Sequence, residues 1–338
     1  MIMNYKIKKQ SGISLIEIMV ALVISLFLMG GVIQVFLGNK TTYRFSEALS
    51  RVQESGRFSM DYISRDLRHA GFWGCATFDP SDTTNISNNL NPAGAGFDDA
   101  IHNFIENPHI EGTENDGFNN SDSVTIRGAV PGQSNIVSPY NSPTSAQIFT
   151  NSGSSLKQDD IVLLSNCRGA DIFQISNLTQ GGASKYSIVH NAGAGSPGNY
   201  NPAACKAGHC LSQTYGGDSA LMKLQTVTYS IAQGVNNEPT LIRSVNGVEE
   251  ELAEGVEQLQ VLYGVDKDDN AIPDTFVSSD KVTDWNEVTT VRLMLLLKSE
   301  ERVLGEDQTY VFNGTNITSN DRMLRHVFTK TTALRNKL

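Results

Sequence analysis

Oxygen-bearing side chains recur at alternate positions in Asp266-Lys267-Asp268-Asp269-Asn270, with Asp274 beyond. Calcium takes six to eight oxygen ligands, and a tight turn supplies them in this one-three-five manner. Asp266, Asp268, Asn270 and Asp274 therefore form a candidate calcium set, with a solvated hairpin turn as the competing reading. The stretch departs from an EF-hand loop at Ala271, where that loop has Gly, and at Val277, where it has a bidentate Glu. Cys205-x3-His209-Cys210 offers thiolates and an imidazole, but structural zinc takes four ligands, and no second compact cluster supplies the rest. A small Cys205–Cys210 disulfide loop is preferred, which leaves Cys75 for Cys167; four cysteines allow three connectivities. Gly193-Ala194-Gly195-Ser196-Pro197-Gly198 matches G-x-G-x-x-G, yet a dinucleotide loop needs a helix behind it. Pro197 and Asn199-Tyr200-Asn201-Pro202 start none, so no nucleotide is expected. There is no H-E-x-x-H, no G-x-S-x-G and no Walker Gly-Lys-Ser/Thr, and the six histidines are dispersed. The chain reads as non-enzymatic, with calcium as the one candidate ion.

A further carboxylate stands where a carboxylate is costly. From Ile13 to Leu37 run 25 residues of which Glu17 alone is charged. About 20 apolar residues cross a bilayer core as a helix, and an acid inside such a span costs about 2.5–3.5 kcal/mol on insertion scales. Ahead of the run lies a leader, residues 1–12, with Lys6, Lys8 and Lys9 and no acid. Basic residues beside a first span stay cytoplasmic, which puts the rest of the chain across the membrane. An ordinary secretory signal has an apolar core of about 7–15 residues followed by a small-residue cleavage site. This run is longer, no such site follows it, and the small residue at its boundary, Gly12, precedes it. A plain signal anchor explains a Glu near one membrane face. It does not explain the spacing of Gly12 and the basic leader.

The arrangement of a short basic leader, Gly12, an apolar residue, Ser14-Leu15-Ile16-Glu17 and a long apolar helix resembles the class III signal of type IV pilins and pseudopilins. The resemblance implies cleavage by a prepilin peptidase between Gly12 and Ile13 and N-methylation of Ile13. Glu17 becomes the fifth mature residue, whose expected partner is the amino terminus of an adjacent subunit. Ile13 departs mildly from the Phe commoner at the first mature position. Two further stretches narrow the resemblance to PilW-type minor pilins: residues 55–75, ending Gly71-Phe72-Trp73-Gly74-Cys75, and residues 255–266 with 321–328. Related pilin-like proteins also carry an Asp-rich turn after the strand at 256–265. The implied function is that of a minor pilin that primes, caps or joins a type IV pilus, in twitching motility, adhesion or DNA uptake. Its partners would be the peptidase, the inner membrane and the helices of other major and minor pilins, with assembly energy from a separate ATPase. The alternatives are a minor pseudopilin of type II secretion and a filament-displayed adhesin or binding module.

What must position these groups follows from the rest of the chain. It has 338 residues and a formal charge of −10, which loss of the three leader lysines takes to −13. An acidic exterior disfavours nucleic acid as a general partner. The tail 322–338 is the exception, with Arg322, Arg325, Lys330, Arg335 and Lys337 and no acid: an edge strand guarded by charge, or a small DNA-contacting strip. All four cysteines fall in the exported part, where disulfides form. The expected division is leader 1–12, membrane or helix-bundle segment 13–37, amphipathic half-helix 38–75 and β-rich domain 76–338. In the second half-helix Phe45, Leu49, Val52, Gly56, Ile63, Leu67 and Ala70 make one apolar stripe. Glu47 with Arg51, Arg57 with Asp61 and Asp61 with Arg65 are i,i+4 pairs. Residues 80–159 are rich in Asn, Ser, Gly, Pro and Asp and read as surface loops, an insertion over one face of the sheet interrupted by a strand at 123–127. Strand patterns follow at 160–165, 171–177, 185–190, 224–232, 240–245, 256–265, 287–298, 309–313 and about 325–331. Strands at hairpin distances imply antiparallel pairing. The fold class is α+β, a long N-terminal helix packed on an antiparallel β-sheet domain with long loops.

Overall fold

The computed structural model describes residues 12, 14–75, 85–130, 132, 134–140, 145–151, 156–181, 185–193, 195–200 and 211–337. One helix, α1 (Leu15–Leu67), takes up 53 residues, about 80 Å at helical rise. Gly30, Gly31 and Gly38 do not interrupt it, since each costs only about 1 kcal/mol relative to Ala and strong helix formers surround them. Side chains from Leu15 to Leu37 stand exposed, and burial begins only near Phe45. From there Val52, Met60, Ile63 and Leu67 enter the core. Gly56 belongs to the same stripe for a steric reason: a Cβ there would sit 2.2 Å from the Phe328 ring.

Beyond α1, the described residues form a one-turn helix α2 (Asp99–His102) and eighteen strands. The first are β1 (Ile86–Asn88), β2 (Ile110–Thr113), β3 (Ser123–Ala129), β4 (Ser134–Asn135) and β5 (Gln147–Thr150). There follow β6 (Ile161–Asn166), β7 (Gly169–Gln174), β8 (Asn177–Gly181), β9 (Lys185–Val189), β10 (Ala220–Gln233), β11 (Pro239–Val245) and β12 (Val248–Glu254). The last are β13 (Val256–Val265), β14 (Thr275–Val277), β15 (Val288–Arg302), β16 (Gln308–Phe312), β17 (Thr315–Ser319) and β18 (Met323–Ala333). A nine-stranded sheet runs β1-β7-β6-β10-β11-β12, with β3 and β4 also on β10 and β2 on β3. A four-stranded sheet runs β14-β13-β15-β18; β5-β9-β8 and the β16-β17 hairpin stand apart. The main core lies where α1, the four-stranded sheet and the β3-β10-β11 part of the large sheet meet, around Ile63, Tyr229, Tyr263, Leu293 and Leu295.

Three expectations need correction. Residues 80–159 are not an insertion lying over a sheet: β2, β3 and β4 are part of the nine-stranded sheet, β1 lines its edge and β5 opens the three-stranded one. Pairing is not uniformly antiparallel, because β1 runs parallel to β7. Asp61 is hydrogen-bonded to Lys330 on β18 at 2.6 Å rather than to a helical neighbour, with Arg65 acting on it only through its charge, while Glu47 and Arg51 do pair, at 3.0 Å.

The end of α1 is tied down at several points. Gly71 and Gly74 adopt positive φ, which glycine reaches without steric cost. The chain leaving the helix then pairs with β3, Gly71 N donating to Arg127 O at 3.0 Å and Ala129 N to Phe72 O at 2.8 Å. The Tyr229 hydroxyl donates to the Asp66 carboxylate at 2.6 Å, and Arg243 reaches the same oxygen at 3.3 Å. Burial and the Asp66 charge both push the Tyr229 phenol up, so it stays a donor. Asn336 Nδ2 donates to Ala70 O at 3.0 Å.

Candidate functional site

At the start of α1, Ser14 is the N-cap residue in extended backbone. Its amide donates to Glu17 Oε2 at 2.9 Å. The first turn of a helix leaves amides without partners and carries positive dipole charge, so a glutamate at the third position is held by its own helix end. Glu17 is exposed, as are Ile16, Val20 and Ile24 around it. Gly12 is described with nothing within 4 Å of where its Cβ would stand; Ile13 lies outside the described residues. Among the described residues, α1 is the one helix long and apolar enough to cross a membrane.

Cys75 and Cys167 are joined, their Cα atoms 4.8 Å apart. The bond links the turn after α1 to the β6-β7 hairpin, beside the contact of Ser165 Oγ with Trp73 O at 3.3 Å. Cys205 and Cys210 lie outside the described residues. Residues 195–198 turn in a loop braced by side chains: Gln174 Nε2 donates to Asp159 O and Ser196 O, each at 2.9 Å, and Gly198 N donates to Gln174 Oε1 at 2.8 Å; Ala194 lies outside the described residues.

Three of the four candidate calcium ligands converge. Carboxylate oxygens of Asp266, Asp268 and Asp274 lie within 4.8 Å of one another. Asp266 already accepts from Ala271 N at 2.7 Å and Asn270 N at 3.3 Å, and Asp274 accepts from Lys267 N at 2.9 Å. Asn270 is turned differently: its amide donates to Asp268 and its oxygen accepts from Ile272 N. Partial desolvation, the hydrogen bond with Asp266 and the charge of Asp274 raise the pKa of Asp268 from its ordinary value. A cation would relieve this crowding, and the carboxylates fit one; the Asn270 oxygen is committed to the backbone.

The basic tail does not form a strip. Arg325 is only 7% exposed and is held by Glu257 at 2.7 Å and Asp321 at 2.7 Å, while Lys330 is paired with Asp61. Sequence reasoning missed these networks, and the Asp66–Tyr229–Arg243 cluster, because apart from the neighbouring Asp321–Arg325 pair their members lie far apart in the sequence. An acid at Asp66 beside the apolar stripe was the one local signal. Arg127, 1% exposed, was missed likewise: its guanidinium donates to Pro108 O at 2.9 Å, Ala100 O at 2.6 Å and Glu111. It thereby fixes the segment that carries α2 and β2.

A long, largely uncovered apolar helix carrying a prepilin-like start and a β-rich head defines a pilin-like architecture. Comparison with known families agrees: residues 7–33 match the prokaryotic N-terminal methylation motif, and residues 228–336 match Type IV Pilus-assembly protein W. The PilW match runs from the second half of β10 to the end of β18 and takes in the whole four-stranded sheet. Both matches point to a structural, pilin-like role rather than catalysis. A solved type IV-like pilin from Thermus thermophilus is similar over 54% of this chain and 86% of its own, at 14% identity and a TM-score of 0.25, too low to bear on function. The comparison with curated proteins found no match.

Proposed function

We propose that this chain is a minor pilin of a type IV pilus, one that primes, caps or joins the filament. Cleavage between Gly12 and Ile13 frees an amine that is methylated and packed, with Glu17, among the helices of other pilins. Before assembly α1 anchors the subunit in the inner membrane with its head on the periplasmic side; afterwards the subunit sits at or near the pilus tip. The observation that carries the reading is the join of a methylation-motif helix, uncovered from Leu15 to Leu37, to a PilW-type head. A buried charge costs several kcal/mol alone and much less when paired, so Glu17 supports both neutralisation and register.

Two variants test this. Gly12→Val should accumulate as uncut, membrane-anchored precursor. Glu17→Ala should insert and be cut, because the peptidase is expected to read chiefly the glycine, yet fail to enter filaments. Precursor size on a gel and the subunit content of sheared filaments give the answer; normal incorporation of Glu17→Ala would leave Glu17 a tolerated interfacial residue. Deleting the gene separates the pilus from the secretion pseudopilus: lost surface pili support this reading, and blocked export of soluble proteins supports the other.

A further inference from the structure

The parity of the four-stranded sheet leaves one edge open over part of its length. Lys298 N donates to Gly255 O, so even-numbered residues of β15 bond toward β13 and odd-numbered ones toward β18. Lys298 pairs with Arg325, and Leu297, Leu295, Leu293 and Val291 pair with His326, Phe328, Lys330 and Thr332. Arg325 therefore points its backbone away from β15, and so do Val327, Thr329, Thr331 and Ala333. Two contacts confirm the parity: Leu334 N turns inward to Thr289 O, and at Arg325 both outward groups are taken by one side chain. That side chain is Gln308, accepting from Arg325 N at 2.7 Å and donating to Arg325 O at 2.8 Å, an amide imitating an added strand. Past it, among the described residues, no protein group bonds the outward amides and carbonyls of Val327, Thr329, Thr331 and Ala333. The tail that could have covered them turns off at Leu334 and is held at the end of α1 by Asn336.

Open edges invite pairing, and proteins blunt them with charge, proline or brevity. The opposite edge, β14, has three residues and follows Pro273 and Asp274. The edge strand β12 of the neighbouring sheet carries Glu249, Glu250, Glu251 and Glu254. From Val327 to Ala333 there is no proline and no bulge, and the one charge, Lys330, is drawn onto Asp61. The flanks are cationic. Besides Lys330, Arg65 and Arg68 act on the Asp61 carboxylate, and Arg292 stands across the strand with Nε 3.4 Å from Thr331 Oγ1. Three cations thus act on one acid on the helix side of the strand, and Arg292 lies on the other face with its guanidinium over the Phe276 ring.

We propose that the outer edge of β18, from Val327 to Ala333, is a docking edge that takes an extended, acid-bearing strand of a neighbouring, different filament subunit as an added β-strand. The proposal rests on the filament-subunit reading above. Backbone bonds at alternate residues supply the attraction, and carboxylates of the incoming strand meet Arg65, Arg68 and Arg292.

The test places a photo-crosslinking benzoylphenylalanine at Thr331 in the full-length chain in cells of the source organism, with a second probe at exposed Val235 as control. Three backgrounds are compared: otherwise wild type, Thr329→Pro and Arg292→Glu. Thr329→Pro deletes an outward amide and leaves the β15 ladder intact, as proline at an edge allows; Arg292→Glu reverses a flanking charge without touching the backbone. The expected result is an adduct, at Thr331 only, to a pilus subunit identified by mass spectrometry. Its yield should drop about tenfold in each variant, as loss of a hydrogen bond or charge contact implies. With the chain present in sheared filaments, no adduct, an adduct indifferent to both variants, or an adduct to a protein outside the filament overturns the docking edge and leaves the pilin reading standing. An adduct to a second copy of this chain overturns the proposed occupant. Absence of the wild-type chain from filaments sinks both.

Discussion

The Asp321 carboxylate accepts from both terminal nitrogens of Arg325 and from Met323 N. The Arg325 guanidinium holds its pKa down from 3.8 to about 2. A carboxylate with a lowered folded-state pKa stabilises fully above its unfolded value and loses that contribution as pH falls through the folded one. Asp321 should therefore contribute on the order of 1–2 kcal/mol at neutral pH, less whatever solvent screening removes, with a small part left at its folded pKa of about 2 and nothing once the pH is well below it. Melting curves of the full chain in detergent should show Asp321→Asn less stable at pH 7, with the difference closing as the pH falls from about 5 to about 1. A difference independent of pH would mean that shape, not charge, sets the effect. The Asp266–Asp274 turn gives a second residue-level test. Calorimetric titration of the wild-type chain with millimolar calcium should give binding heat that Asp268→Asn abolishes; no heat would leave the turn held by its backbone amides alone.

Among the elements, α1 was legible because its apolar residues recur at helical spacing and its buried face is the one that spacing selects. β10, β13 and β15 were legible from alternation. β1, β2, β4 and β5 were not: they are two to four residues long, set among Asn, Ser and Gly, and stabilised by neighbours rather than by their own propensity. Glu17 stood out because a single charge in an apolar run is local information. The edge of β18 was hidden, since which backbone groups face outward depends on pairing parity and not on side chains. The junction of α1 with β3 offers a steric test. A Cβ on Gly128 would stand 2.6 Å from the backbone oxygen of His69, which cannot swing aside as a side chain would. Gly128→Ala should cost about 1–3 kcal/mol in denaturant unfolding, whereas Gly30→Ala, with nothing within 4 Å, should leave the melting of the head unchanged.

Taken as one body, the molecule is a bare apolar shaft fixed to a head by the last turns of the same helix. The Cys75–Cys167 bond spans 92 residues of sequence and should stabilise by about 2–4 kcal/mol, chiefly by restricting the unfolded chain. Replacing both cysteines by Ala should lower the melting temperature accordingly, and non-reducing peptide maps of the wild type should contain the linked pair; Cys75 linked instead to Cys205 or Cys210 would refute it. The fastening of α1 also has a mechanical meaning. A pull along the shaft enters the head between Val52 and Cys75. There Gly56 nests against Phe328, Asp61 is bound to Lys330, Asp66 to Tyr229 and Arg243, Ala70 to Asn336, and the turn at Gly71 and Phe72 to β3. These fastenings follow one another along the last turns of α1 and the turn beyond it, and lead into both sheets. Tension is thus shared among them rather than met one at a time, and the head is expected to come away only when several yield together.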